Sequence, residues 1–269
     1  MKIGTFSKGV AVAAALITAA GVENSVAGKL YASDPTDGVV VYFSPKGEER
    51  TAATVDDADG IAFDSAGVLY ASDFHRSVVY ALNGRHGLKR VASGKAIEKP
   101  SALLFDSADN LFVAHDGTRP GIAMVTPDGI VTSFADGVAP GGLAFDSAGN
   151  LYASDAISGS VLKYAPDGSG TTFASGFIQP VDVKFDTLGN LYVSDAGAGI
   201  IYKIAPDGTS SEFASGLSQP MGLAFQRDGT LFVADPPNID VFSTTGEKSI
   251  FVTGFSAAYL IFRREAHTH

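Results

Sequence analysis

His75 and Arg76 follow Asp73-Phe74, and His115 is followed at once by Asp116. A histidine beside a carboxylate can serve as a general base, and with an arginine the same cluster can bind an anion. Asp73, His75, Arg76, His115 and Asp116 are therefore the residues whose types and spacing suit chemistry or recognition, provided the fold brings them to one surface. The other histidines suit it less. His86 lies in Asn83-Gly84-Arg85-His86-Gly87, the composition of a surface turn, and His267 and His269 sit in a polar tail that could hold a metal only loosely. Several chemistries are excluded outright. With no cysteine there is no thiol nucleophile, thiolate metal site or disulfide. No Gly-x-Ser-x-Gly elbow and no glycine-rich phosphate loop opening a helix occurs. Nineteen basic against twenty-nine acidic side chains give a net charge of -10, which disfavours nonspecific nucleic-acid binding because phosphates need a cationic surface.

The elements that must position these residues repeat. Leu30-Tyr31-Ala32-Ser33-Asp34 returns as Leu69-Tyr70-Ala71-Ser72-Asp73, Leu111-Phe112-Val113-Ala114-His115, Leu151-Tyr152-Ala153-Ser154-Asp155, Leu191-Tyr192-Val193-Ser194-Asp195 and Leu231-Phe232-Val233-Ala234-Asp235. The leucine spacings are 39, 42, 40, 40 and 40, and Pro100, Pro140, Pro180 and Pro220 keep the same period. Within the unit from Pro140, Gly142–Phe145, Asn150–Ser154, Val161–Tyr164 and Thr171–Ala174 read as four short strands rich in strand formers. Asp146-Ser147-Ala148-Gly149-Asn150 and Pro166-Asp167-Gly168 are the turns between them. Asp64, Asp106, Asp146 and Asp186 share one turn position, and Asp128, Asp167 and Asp207 share another. Local hydrogen bonding is the expected task of both sets. The same holds for Asp34, Asp73, Asp155, Asp195 and Asp235, which close the second strand.

A sheet of about 40 residues cannot bury both faces alone, whereas six around an axis can, which predicts an all-β, six-bladed propeller of four-stranded antiparallel blades. The first repeat starts at Lys29-Leu30 without a leading strand. The apolar run Ala258-Tyr259-Leu260-Ile261-Phe262 stands where the next leading strand is due. The C-terminal strand is thus expected to join the N-terminal blade and close the ring.

Lys2 and Lys8 precede an apolar run from Gly9 to Ala20, shorter than the roughly 20 residues that span a bilayer but suited to a signal peptide. Ser25-Val26-Ala27 offers a cleavage site. The expected organisation is a signal peptide over 1-27, the propeller over 28-262 and a flexible tail over 263-269. A secreted or periplasmic monomer without a membrane span follows.

The repeated proline, the Phe-Asp-x-x-Gly-Asn turn, the Leu-Tyr-Val-Ser-Asp strand and the Pro-Asp-Gly hairpin resemble NHL-type repeats, and more broadly the six-bladed gluconolactonase and senescence-marker-like lactonase propellers. The resemblance covers essentially 28-262. It implies a divalent metal, Ca2+ above all, at the axis, held by one Glu, two Asn and an Asp. The matching positions here are Asp59, Ser101, Gly141, Val181 and Met221, with no matching Asn and no Pro-Glu-Gly-Pro segment. Asp59, and Asp182 one residue past its matching position, are the remnants of such a site. Streptogramin-lyase-like activity resides on related propellers that use axial His and Glu on seven blades, a pattern absent here. The resemblance leaves two readings open. One is an NHL-type module that binds a small-molecule or protein partner. The other is a lactonase-like hydrolase of a lactone or ester with a modified metal site.

Overall fold

The computed structural model describes residues 28–82 and 87–263. The expected signal peptide, His86 and the tail beyond Arg263 lie outside the described residues. Twenty-four strands form six four-stranded antiparallel sheets, and a single 3₁₀ turn, Lys95–Ile97, interrupts the described residues. Blade 1 is built from both ends of this ring. Its strands β1 (Leu30–Asp34), β2 (Val39–Phe43) and β3 (Glu49–Thr54) are completed on the inside by β24 (Leu260–Phe262). Blade 2 comprises β4 (Ala58–Phe63), β5 (Leu69–Asp73), β6 (Val78–Leu82) and β7 (Leu88–Ser93), and blade 3 β8 (Pro100–Phe105), β9 (Leu111–His115), β10 (Gly121–Val125) and β11 (Val131–Asp136). Blade 4 holds β12 (Pro140–Phe145), β13 (Leu151–Asp155), β14 (Ser160–Tyr164) and β15 (Gly170–Ser175). Blade 5 holds β16 (Pro180–Phe185), β17 (Leu191–Asp195), β18 (Ile200–Ile204) and β19 (Ser210–Ser215). Blade 6 holds β20 (Leu223–Phe225), β21 (Leu231–Asp235), β22 (Asn238–Phe242) and β23 (Lys248–Thr253). The four strands read from the sequence in blade 4 are present, the inner, third and outer ones extended by one or two residues and the second shifted by one.

The turns are held as their composition requires. Asp146 accepts hydrogen bonds from the amides of Ala148 and Asn150, both at 2.9 Å, and from the Asn150 side chain at 2.7 Å. Asp106 and Asp186 repeat this set. The aspartates closing the second strands fasten the opposite face. Asp195 accepts from the amides of Ile178 and Gln179 at 2.8 Å, and Asp235 from those of Ser218 and Gln219. Each pins the connection that leads into its own blade's inner strand.

The second-strand serines do more than fill space. Ser154 Oγ accepts from Gly142 N at 2.9 Å and donates to Val181 O, in the next blade, at 2.6 Å. Ser194 accepts from Asp182 N and donates to Met221 O. These buried hydroxyls tie the inner strands of blades 4 and 5 to those of the next blade, which leaves them no part in nucleophilic catalysis. Between blades, an aromatic on the second strand meets the inner-strand phenylalanine of the next blade edge to face, as in Tyr152–Phe185, with centroids 5.0 Å apart. The closing strand obeys the same rule: Phe232 of blade 6 meets Phe262 at 5.1 Å. Leu30, Tyr31 and Ala32 pair with Phe262, Ile261 and Leu260.

Candidate functional site

The second residue of each inner-strand segment faces the axis. These residues are Asp59, Ser101, Gly141, Val181, Met221 and, from the closing segment, Ala258. The first five retain accessible surface between fully buried neighbours, and Ala258 is buried. Asp59 is the one carboxylate among them. It is lodged in the interior against the channel, and burial together with the nearby Asp57 carboxylate pushes its carboxyl up to about 7. Ser101 is committed to the backbone, its hydroxyl donating to Pro140 O at 3.2 Å.

The next residue in each strand points instead at the following inner strand. A Cβ on Gly142 would lie 2.4 Å from Asp182 Oδ1 and 2.6 Å from Asp182 Cα, and one on Gly222 would lie 2.6 Å from Ala258 O. The small residues at 60, 142 and 222 are thus demanded by close approach of strands, not by an open axis. Asp182 occupies this second layer and is fully buried. Its Oδ1 accepts from Val183 N at 2.8 Å and Lys184 Nζ at 2.6 Å, and its Oδ2 from Leu223 N at 2.9 Å. Its charge serves the junction of blades 5 and 6.

Tyr259 stands in the same layer as Gly142 and Asp182, yet no other blade has a ring there. Its hydroxyl donates to Gly141 O on blade 4, the blade opposite its own. The phenol therefore crosses the axis. Burial, with Asp59 and Asp182 adding negative potential, holds its proton on well above the ordinary tyrosine range. A hard divalent cation takes six or more oxygens, several of them anionic. One raised-pKa carboxyl, a committed serine, a glycine, a valine, a methionine and a crossing phenol do not fit that demand. Among the described residues no group of three or more His, Asp and Glu side chains is placed to hold a metal.

The histidine-containing loops lie on the face formed by the second-to-third-strand loops and the blade connections. His75 Nδ1 pairs with Asp57, while Arg76 bridges Asp56 at 2.5 Å and Asp73 at 3.1 Å. His75 is 81% exposed and Arg76 56% exposed at the side chain, whereas Asp73 is fully buried. Asp56 and Asp57 were not singled out by the sequence. They lie in the connection to β4, and pairing across that distance carries no short-range signal. His115 is buried, its Nδ1 has no hydrogen-bond partner among the described residues, and burial lowers its pKa so that the neutral ring is favoured. It takes the place of the strand-closing aspartate but cannot accept the same paired amides. Glu98 takes over nearby, accepting from Thr118 N at 2.8 Å and Thr118 Oγ1 at 2.7 Å. Asp116 is exposed and bonds by its amide to Lys99 O, while the Lys99 ammonium lies 5.8 Å from the Phe74 ring centroid. The expected patch is thus two adjoining groups on one face, a charged group around Arg76 and a buried neutral imidazole.

No known family model matches the sequence, and no curated protein matches it. Solved structures do match by shape. A propeller from a nidogen/laminin complex superposes with a TM-score of 0.78 at 18% identity, covering 88% of this chain and 99% of its own. A gluconolactonase from Xanthomonas campestris gives 0.72 at 18% identity, covering 82% of each chain. Virginiamycin B lyase from Staphylococcus aureus gives 0.66 at 13% identity, covering 83% of this chain and 80% of its own. At these identities the likeness is one of fold, and it spans lactonase-type and binding-type propellers alike.

Proposed function

We propose that the chain is a secreted or periplasmic binding module whose recognition face is the one carrying His75, Arg76 and Asp116. The observation that carries this reading is the axis itself. The position where a lactonase-like propeller would hold its metal has Asp59 alone among carboxylates, and Tyr259 crosses it. Polarising a lactone carbonyl and orienting a water needs a cation or an equivalent set of donors, and this ring supports neither. The loop face of blades 2 and 3 supports recognition instead, since it departs from the repeat and exposes both signs of charge in a braced network. One fold neighbour comes from a nidogen/laminin complex, in keeping with propellers that act through partners.

The test is calorimetric titration of the chelator-treated full chain with calcium, paired with a lactone and ester hydrolysis screen with and without the metal. No turnover and no tight calcium binding is expected. Submicromolar calcium binding that is lost in Asp59→Asn, with metal-dependent turnover, would replace the binding reading by the lactonase one. Cell fractionation with intact-mass measurement checks the location, a mature chain beginning near Gly28 outside the cytoplasm being expected.

A further inference from the structure

The outer strand pair of every blade carries a bulge at the same place. Between Val161/Ala174 and Leu162/Thr172 the bulged residue is Phe173, and in blades 3, 5 and 6 it is Phe134, Phe213 and Phe251. Each of these rings turns inward onto the second-strand aromatic of its own blade, at 5.0 Å for Phe173–Tyr152 and Phe213–Tyr192, 5.1 Å for Phe134–Phe112 and 5.3 Å for Phe251–Phe232. Together they fill the gap to the following blade. In blade 2 the bulged residue is Val91, and in blade 1, where the bulge falls between Val40/Ala53 and Val41/Thr51, it is Ala52. There the second-strand ring, Tyr31, meets Tyr42 of its own blade instead, with centroids 5.5 Å apart.

The space is open. A groove of about 550 Å³ runs along the seam of blades 1 and 2, lined by Tyr31, Ala52, Phe63, Leu69, Leu82 and Arg263 among others. That volume lies within the range of small-molecule pockets, which are mostly apolar with a few placed polar groups. Arg263 stands at its mouth. Arg263 lies 6.0 Å from the Phe63 ring centroid and interacts with the Tyr31 hydroxyl, and Arg263 N bonds to Lys29 O. The Lys29 ammonium sits 4.4 Å over Tyr42. Neither cation has a carboxylate within ion-pair distance among the described residues, in a chain of net charge -10.

We propose that this groove binds a small aromatic carboxylate, its ring in the space that Phe173 and its counterparts fill in blades 3 to 6 and its carboxylate toward Arg263. The apolar walls supply a phenyl-sized surface, and the guanidinium supplies a planar fork that suits a carboxylate. The groove opens on the face of the first-to-second-strand turns, opposite His75 and Arg76, so the proposal stands whether or not the loop face binds a partner.

The experiment uses the full chain and naphthalene-2-carboxylate as probe, with naphthalene-2-carboxamide as its neutral counterpart, read by calorimetry. The acid is expected to bind at least tenfold more tightly than the amide. Ala52→Phe, which introduces the ring that blades 3 to 6 carry at this place, is expected to weaken the acid at least tenfold while leaving the denaturation midpoint at or above that of the parent. Arg263→Gln alters an exposed side chain and is expected to bring acid and amide to equal affinity. Absence of acid binding up to millimolar concentration, equal binding of acid and amide by the parent, or unchanged binding by a folded Ala52→Phe would each overturn the proposal. Should Ala52→Phe fail to fold, the Arg263→Gln comparison decides it.

Discussion

Blade 4 and blade 1 carry the same four strands, but the spaces each shares with the following blade differ. In blade 4, Phe173, Tyr152 and the Phe185 of blade 5 form two edge-to-face contacts, both with centroids 5.0 Å apart. In blade 1 the contact between Tyr31 and Phe63 survives at 5.1 Å, whereas the outer ring is gone and Ala52 is exposed. Blade 1 is also the only blade assembled from distant parts of the chain. The blade that joins the two chain ends is therefore one that lacks the outer ring. What compensates lies at the axis: Ala258 and Tyr259 bond to Ser33, and the Tyr259 phenol reaches across to blade 4. The regular blades hold by lateral repetition, and the seam holds from the centre.

Removing residues 259–269 attacks that compensation and is expected to have the largest effect. Tyr259 and Leu260 are buried and Ile261 and Phe262 half-buried. At roughly 1.5–3 kcal/mol for each fully buried large side chain and about half that for a half-buried one, their loss amounts to about 5–9 kcal/mol, comparable with the whole stability of an ordinary domain. Urea denaturation should show an open, largely unfolded ring. Removing only residues 266–269 should leave the midpoint unchanged within about 0.5 kcal/mol. Equal midpoints for the two truncations would deny the closing strand its role.

Next in size is Phe173→Ala, which gives the junction of blades 4 and 5 the vacancy already present at the seam. Truncating a buried phenylalanine costs about 3–5 kcal/mol, and Phe173 is half-buried, so a loss of about 2–4 kcal/mol is expected in the same assay. A loss below about 1 kcal/mol would mean that the outer ring carries little of the lateral packing and that the two seams differ in shape only.

Much of this was legible in the sequence. The 40-residue spacing, the Pro-Asp-Gly hairpins and the apolar run at 258–262 foretold six blades and their closure, because turns and strands are local and repeat. The structural use of Asp146 and Asp195 was legible for the same reason. Less legible was anything decided by one residue of register. Asp182 is the neighbour of an axial position, but in a strand one step changes the face, and its carboxylate goes to Leu223 N instead of the channel. Tyr259 reads as one more apolar residue of a closing strand, since no other repeat has a large side chain there to compare. The Phe-Ala pairs at 134, 173 and 213 mark the bulge in the sequence, yet Ala52 looks like ordinary raggedness in a first repeat until the groove beside it is seen.

The axial compensation should also respond to pH. Asp59 has its carboxyl raised to about 7 in the folded chain, against roughly 4 for an unperturbed aspartate. A raised acid favours the folded state fully while both states are protonated, below about pH 4, and that contribution is lost as pH rises through about 7. Asp57 and Tyr259 are the titratable groups that interact with it, and neither is a cation. Relative to Asp59→Asn, the parent is expected to lose about 2–3 kcal/mol between pH 4 and 8, a figure reduced from the roughly 1.4 kcal/mol per pKa unit of linkage because Asp59 keeps some contact with solvent in the channel. Parallel stability curves for parent and variant over that range would place Asp59 in an ordinary solvated setting.

The smallest effect is expected at the seam itself. Ala52→Phe introduces a large side chain, a change that costs about 1–3 kcal/mol in a filled core, but here the ring enters space that four other blades already give to phenylalanine. Its gain is an edge contact with Tyr31, worth roughly 0.5–1.5 kcal/mol by analogy with other aromatic pairs, offset by the ordering of one more side chain. A net change within about 1 kcal/mol, on the stabilising side, is therefore expected from the denaturation midpoint. The asymmetry between the two substitutions is the informative quantity. If Phe173→Ala costs several kcal/mol while Ala52→Phe returns almost none, the seam is already stable without its ring, and its walls are free to be shaped by something other than folding. If Ala52→Phe stabilises by as much as Phe173→Ala destabilises, the vacancy is a standing cost to the fold, and a chain retains such a cost only where the open groove is used.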